Sequence, residues 1–64
     1  MLKDTLKQWR IKHNKTQEEM AVLLQTNQPY YNRIEAGVMK PGFVMIERIA
    51  KLLDVSPEFI RSML

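Results

Sequence analysis

The sequence predicts an all-α fold of about five short helices, and three observations carry that prediction. Apolar residues recur three or four positions apart along most of the chain, no stretch alternates with the two-residue period of a strand, and capping residues, Pro and Gly punctuate the periodic segments. Sixty-four residues without cysteine form one domain, residues 1–64, of a size that buries roughly 60% of its unfolded surface. Stability then rests on one packed core rather than on disulfides.

Leu2, Leu6 and Trp9 share a helical face, which predicts a first helix from about Leu2 to Lys12, ending at the His13-Asn14 corner. Thr16 with Glu19 three residues later is a capping box, so a second helix starts at Gln17 and runs to about Leu24. Gln25 and Thr26 form a turn. Asn27 is the next cap, and Pro29 is tolerated in a first turn whose amides have no intrahelical partner. This third helix runs from Gln28 to about Ala36 and stops at Gly37, a left-handed cap. After the loop Val38 to Gly42, the residues Phe43, Ile46, Ile49, Ala50 and Leu53 mark a fourth helix, with Glu47 and Lys51 one turn apart in the favourable order. Ser56 and Pro57 open a last one. The expected core is Trp9, Met20, Ala21, Leu24, Ile34, Phe43, Ile46, Ile49, Ala50, Leu53, Val55 and Ile60.

Net charge is +3, and Lys3, Lys7, Arg10, Lys12 and Lys15 crowd the first fifteen residues against Asp4 alone. Such a balance favours an acidic partner without dictating a fold. No apolar run approaches the roughly 20 residues that span a bilayer, and no tripartite secretion signal opens the chain. The expectation is a cytoplasmic protein with no membrane partner. Catalysis finds little support: there is one histidine and no thiol, and the adjacent Glu18 and Glu19 point in different directions from their helix. No residue set with metal-ligand spacing exists, and neither a cofactor nor a small-molecule ligand is implied.

The most informative stretch is Thr16 to Gly37, two short helices around a tight corner, the second opening with Gln28, Pro29, Tyr30, Tyr31, Asn32 and Arg33. Long hydrogen-bonding side chains at the start of a helix suit the base edges of a DNA major groove.

Three segments at fixed mutual spacing, Thr16-Gln17-Glu18-Glu19-Met20-Ala21, Arg33-Ile34-Glu35-Ala36-Gly37 and Ile49-Ala50-Lys51-Leu52-Leu53-Asp54-Val55-Ser56, closely resemble the Cro and phage-repressor type of helix-turn-helix protein, the Xre-like family. The resemblance covers nearly everything from Leu6 to Ile60. It implies a lambda-repressor-like bundle with the helix-turn-helix at helices two and three. The chain departs from the family at Gln25, where Gly is usual, at Lys15, where an apolar residue is common, and in Val38-Met39-Lys40, where two or three basic or polar residues are usual.

The resemblance implies that Gln28 and Arg33 contact bases. A Gln amide can bond adenine N6 and N7, and a guanidinium guanine O6 and N7. Asn32 is a third candidate, and Pro29 and Tyr30 offer surface to a thymine methyl or to the sugar-phosphate wall. Backbone contacts would come from Gln17 and Asn27 at the helix starts, Tyr30, Lys40, and the free amide of Phe43. Each candidate also has a plain reading as a solvated or capping residue. Tyr31 takes a core position, its hydroxyl expected to reach the domain edge. Arg10 and Glu35 match a pair that commonly ties helix one to the end of helix three, so Arg10 is not counted as a DNA contact.

Val44, Met45, Pro57 and Phe59 lie near the helix-four and helix-five ends through which family dimers associate, and form a possible dimer patch. The resemblance thus implies a transcriptional regulator, a Cro-like or immunity-type repressor of bacterial or phage origin, whose weak homodimer is strengthened on a pseudo-palindromic double-stranded DNA operator. Whether the chain is a complete protein or the DNA-binding part of a longer repressor stays open. The rival reading is a protein-interaction module that kept the fold and binds another regulator, supported by the sparsely charged loop and by Val38, Met39, Val44 and Met45.

Overall fold

The computed structural model describes residues 1–64 and contains five helices in the order α1 (Leu2–Lys12), α2 (Gln17–Leu23), α3 (Gln28–Ala36), α4 (Phe43–Leu53) and α5 (Pro57–Arg61). Helix starts follow local chemistry. The Thr16 hydroxyl accepts from the Glu19 amide at 3.0 Å, and the Glu19 carboxylate accepts from the Thr16 amide at 2.8 Å. Asn27 Oδ1 accepts from the Tyr30 amide at 2.8 Å, and Ser56 Oγ from the Phe59 amide at 3.2 Å. Each bond satisfies an amide that the helix itself leaves orphaned.

The ends of α1, α2, α3 and α4 share one closure. A left-handed residue, Asn14 (φ 55), Gln25 (φ 58), Gly37 (φ 80) or Asp54 (φ 58), follows the last turn. The amide of the next residue reaches back five positions, Lys15 to Arg10 at 3.0 Å, Thr26 to Ala21 at 2.8 Å, Val38 to Arg33 at 3.0 Å and Val55 to Ala50 at 2.9 Å. This is the Schellman pattern, which satisfies carbonyls that would otherwise end unpaired. Only one of the four uses glycine.

Helix α3 packs against α1 and α2, and α4 pairs with α5. Leu6, Met20, Leu24, Tyr31, Ile49 and Ile60 are fully enclosed at the centre, with Leu2, Ala21, Ile34, Met45, Ile46 and Ala50 around them. Trp9, Leu53 and Val55 pack against this cluster while half-buried. Trp9 also stacks on His13, with ring centroids 3.9 Å apart.

Two expectations are corrected in α4. Phe43, expected in the core, is 69% exposed, whereas Met45, expected on an outer patch, is only 6% exposed. The buried stripe is centred on Ile49 and takes in Met45, Ile46 and Ala50. At about 100° per residue, Phe43 lies a third of a turn from Ile49, at the edge of that stripe and on a first turn with no helix before it. The Arg61 guanidinium covers its ring instead, 5.6 Å from the centroid. Glu47 and Lys51 do not close into an ion pair; the two pairs present are Arg10 with Glu35 and Arg61 with Glu58.

The exchange of roles between Phe43 and Met45 is measurable. Met45→Ala should cost about 2 kcal/mol or more in urea unfolding, and Phe43→Ala less than about 1 kcal/mol. Equal losses would contradict this placement of the α4 stripe.

Candidate nucleic-acid interface

The surface of interest is the outer side of α3, and what fixes it lies beneath. Tyr31, Ile34 and Glu35 form the buried side of this nine-residue helix. The Glu35 carboxylate, its side chain 5% exposed, sits at the meeting point of three helices. Arg10 of α1 grips it with two bonds of 3.0 Å, Nε donating to Oε2 and Nη2 to Oε1. Gln17 of α2 donates from Nε2 to Oε1 at 3.3 Å, and the Tyr31 hydroxyl donates to Oε2. The remaining Arg10 nitrogen, Nη1, donates to the Lys15 carbonyl at 3.1 Å.

Burial alone would raise the Glu35 carboxyl's pKa, but the hydrogen bonds from Arg10, Tyr31 and Gln17 outweigh it and hold the group below the usual carboxylate range. For Tyr31 burial and the neighbouring carboxylate act together, pushing the phenol above its ordinary value. Tyr31 is therefore a core residue whose hydroxyl turns inward to Glu35, a correction to the expectation that it reaches the domain edge.

With α3 anchored from below, Pro29 and Arg33 occupy its outward stripe one turn apart, flanked by Gln28 and Asn32. Gln28, Pro29 and Arg33 are exposed. The side chains of Gln28 and Arg33 make no hydrogen bond or ion pair within the protein, so their polar groups are free for a ligand. Asn32 differs. It is half-buried, and its Oδ1 is shut from solvent without a hydrogen-bond partner. A two-point contact to adenine needs both amide atoms, so Asn32 could make one only after turning its side chain.

The backbone candidates also sort by commitment. Asn27 uses its Oδ1 as the α3 cap, leaving its amide nitrogen. Gln17 gives one amide hydrogen to Glu35 and keeps the other. Tyr30 is half-buried against the core, while Lys40 is exposed and in no ion pair. The first turn of α4, opened by Gly42, has no side-chain cap, so the Phe43 amide stays available. Of the patch near α4 and α5, Val44 is 58% and Phe59 49% exposed, Pro57 is half-buried, and Met45 drops out as a core residue. Phe59 lines a groove with Trp9, Leu53 and Val55.

Sequence reasoning missed Arg48. This α4 residue reaches across to the corner just past α2, where Nη1 donates to the Leu24 and Gln25 carbonyls at 3.2 Å each. No local pattern announces a bond spanning more than twenty residues. The one available sign is that the last turn of α2 has no basic residue of its own.

A family model described as Helix-turn-helix matches residues 6–60, which takes in all of α2 to α4 and most of α1 and α5. No curated protein and no solved structure matches the chain.

The Glu35 cluster sets an acid limit. Because its carboxyl lies below the unfolded value when folded, its stabilisation is full above about pH 4.3 and is lost as pH falls through the folded pKa. Glu35→Gln should therefore flatten the acid limb of the melting curve and, by stranding Arg10, cost about 3 kcal/mol near neutrality. An unchanged acid limb would show that other carboxylates govern acid unfolding.

Proposed function

The chain belongs to the Cro/C1-type helix-turn-helix family of DNA-binding regulators, and from that premise we propose that it is a sequence-specific transcriptional repressor. In this reading α3 enters the major groove of a pseudo-palindromic operator. The observation that carries it is the pairing of two uncommitted polar side chains, Gln28 and Arg33, with a helix whose buried side is locked to α1 and α2 through Glu35. A reading helix needs both properties, because a free donor on a loose helix selects no base.

Gln28 and Arg33 then bond base edges, with Pro29 against a thymine methyl or a sugar. Gln17, Asn27, Lys40 and the Phe43 amide hold phosphates and set the register, a role that carries no sequence information. Gln17 suits this work, since Glu35 orients its amide and leaves one hydrogen pointing elsewhere. Two copies associate weakly and place their α3 helices about 34 Å apart, one helical turn of DNA. Exposed Val44 and Phe59 are the residues left for such an association. Repression follows from occupying promoter DNA against polymerase.

The second reading, a module that binds another regulator, draws on the exposed apolar residues Val38, Phe43 and Val44. Selection from a random duplex pool at near-physiological salt separates the two. Recovery of a two-fold symmetric site supports the repressor, while weak binding that vanishes with rising salt, and no enriched sequence, supports the module.

On the recovered site, Gln28→Ala and Arg33→Ala should each cost about 1 to 3 kcal/mol and relax preference at one position. Lys40→Ala should weaken all sequences alike and reduce the salt slope by about 0.9. Unchanged discrimination in the Gln28, Arg33 double variant would refute this assignment of readers.

A further inference from the structure

We propose that Arg48 is a positioning residue for DNA reading: its guanidinium clamps the α2–α3 corner and thereby sets the aim of α3. The proposal rests on the DNA-binding reading above and adds to it a residue that touches no DNA.

Three observations converge. Four helices end in the same Schellman closure, and three of them place Asn14, Gly37 or Asp54 at the left-handed position. Glycine carries no penalty there, and Asn and Asp tolerate it through their short polar side chains. The α2–α3 corner alone uses Gln25, whose longer chain has no such compensation. That same corner is the only one of the four held by an arginine from another helix, with Arg48 Nη1 3.2 Å from both the Leu24 and the Gln25 carbonyl. Nη1 thus donates to the carbonyls of the two peptides that flank the strained α-carbon.

The third observation concerns connectivity. Arg48 makes the only side-chain hydrogen bonds between α4 and the first three helices. Everything else joining α4 to the helix-turn-helix is apolar contact, which resists separation better than rotation. Two residues beyond Gln25 lies the Asn27 cap, and α3 begins at Gln28. A corner free to relax its φ would carry the first turn of α3 with it, and Gln28 and Pro29 would lose their alignment to the groove. Arg48 couples that turn to the α4–α5 pair.

The test compares wild type with Arg48→Met, which keeps the apolar stem, with Gln25→Gly, which removes the strain at its source, and with the double variant. Binding to the selected duplex is measured at a temperature where circular dichroism shows all four folded. Exchange of the Thr26 amide is followed without DNA. Arg48→Met should weaken specific binding about tenfold, the scale of a charged hydrogen bond, and leave non-specific binding and its salt slope unchanged. Adding Gln25→Gly should restore affinity to within about twofold.

The Thr26 amide, bonded to the Ala21 carbonyl in the wild type, should exchange about tenfold faster in Arg48→Met alone. Three results overturn the proposal: specific affinity unchanged in Arg48→Met; a loss that Gln25→Gly does not recover; or a salt slope shallower by about 0.9, which would make Arg48 a phosphate contact. If wild type selects no DNA at all, the repressor reading and the DNA role of Arg48 fail together. The exchange of Thr26 still decides whether Arg48 holds the corner.

Discussion

A single carboxylate organises the half of the molecule that faces outward. Ionised Glu35 lies among α1, α2 and α3, and such a charge is costly to bury unless its lone pairs are filled. Here they are filled by Arg10 twice, by Gln17 and by Tyr31. Each donor comes from a fixed place on its helix, so the requirement to satisfy one charge dictates how three helices meet. Apolar packing of Leu6, Met20 and Ile34 would drive the same helices together but tolerates sliding. The carboxylate does not, because a displacement of an ångström breaks charged hydrogen bonds.

The same constraint divides the polar residues of α2 and α3 into those that hold the protein together and those left over. Thr16, Glu19 and Asn27 close helix starts, and Arg10 and Tyr31 serve Glu35. Gln17 stands between, bonded inward by one hydrogen. Gln28 and Arg33 have no partner in the fold. Two long polar side chains left without a partner at exposed positions of α3 are more telling than the net charge of +3.

How much of this was legible in the sequence depended on the range of the interaction. The Thr16-Glu19 capping box, Asn27, Gly37 and the Ser56-Pro57 start are decided within four residues, and all five helices lie close to where the sequence places them. The apolar run Phe43-Val44-Met45-Ile46 was ambiguous by nature, since four consecutive apolar residues fit any stripe of a helix. Only packing against α5 and the core chooses Met45 and Ile46 over Phe43. The ion pair was foreshadowed by family resemblance, yet the Tyr31 hydroxyl and the Gln17 amide joining it were not, because both depend on the depth at which Glu35 sits. Arg48 lay furthest from view. Its partners are backbone carbonyls, which leave no trace in residue type.

Helix α3 is held at two points. Near its end the Glu35 cluster fixes the buried side, and at its start the closure through Gln25 and Thr26, followed by the Asn27 cap, fixes where the first turn begins. One anchor would let the helix swing about it; two separated anchors leave its outer side a single orientation. Nine residues are too few for a helix to persist in water by propensity, so both anchors also support its existence. Gln28, Pro29 and Arg33 take no part in either. The outward residues can thus change without disturbing the fold, and the features that set their direction, Glu35 and the corner beside Arg48, lie on the opposite side of the helix and beyond its start. Stability rests on residues of α3 other than its outward ones, so under the proposed function a chain of sixty-four residues can keep its architecture while the outward face varies.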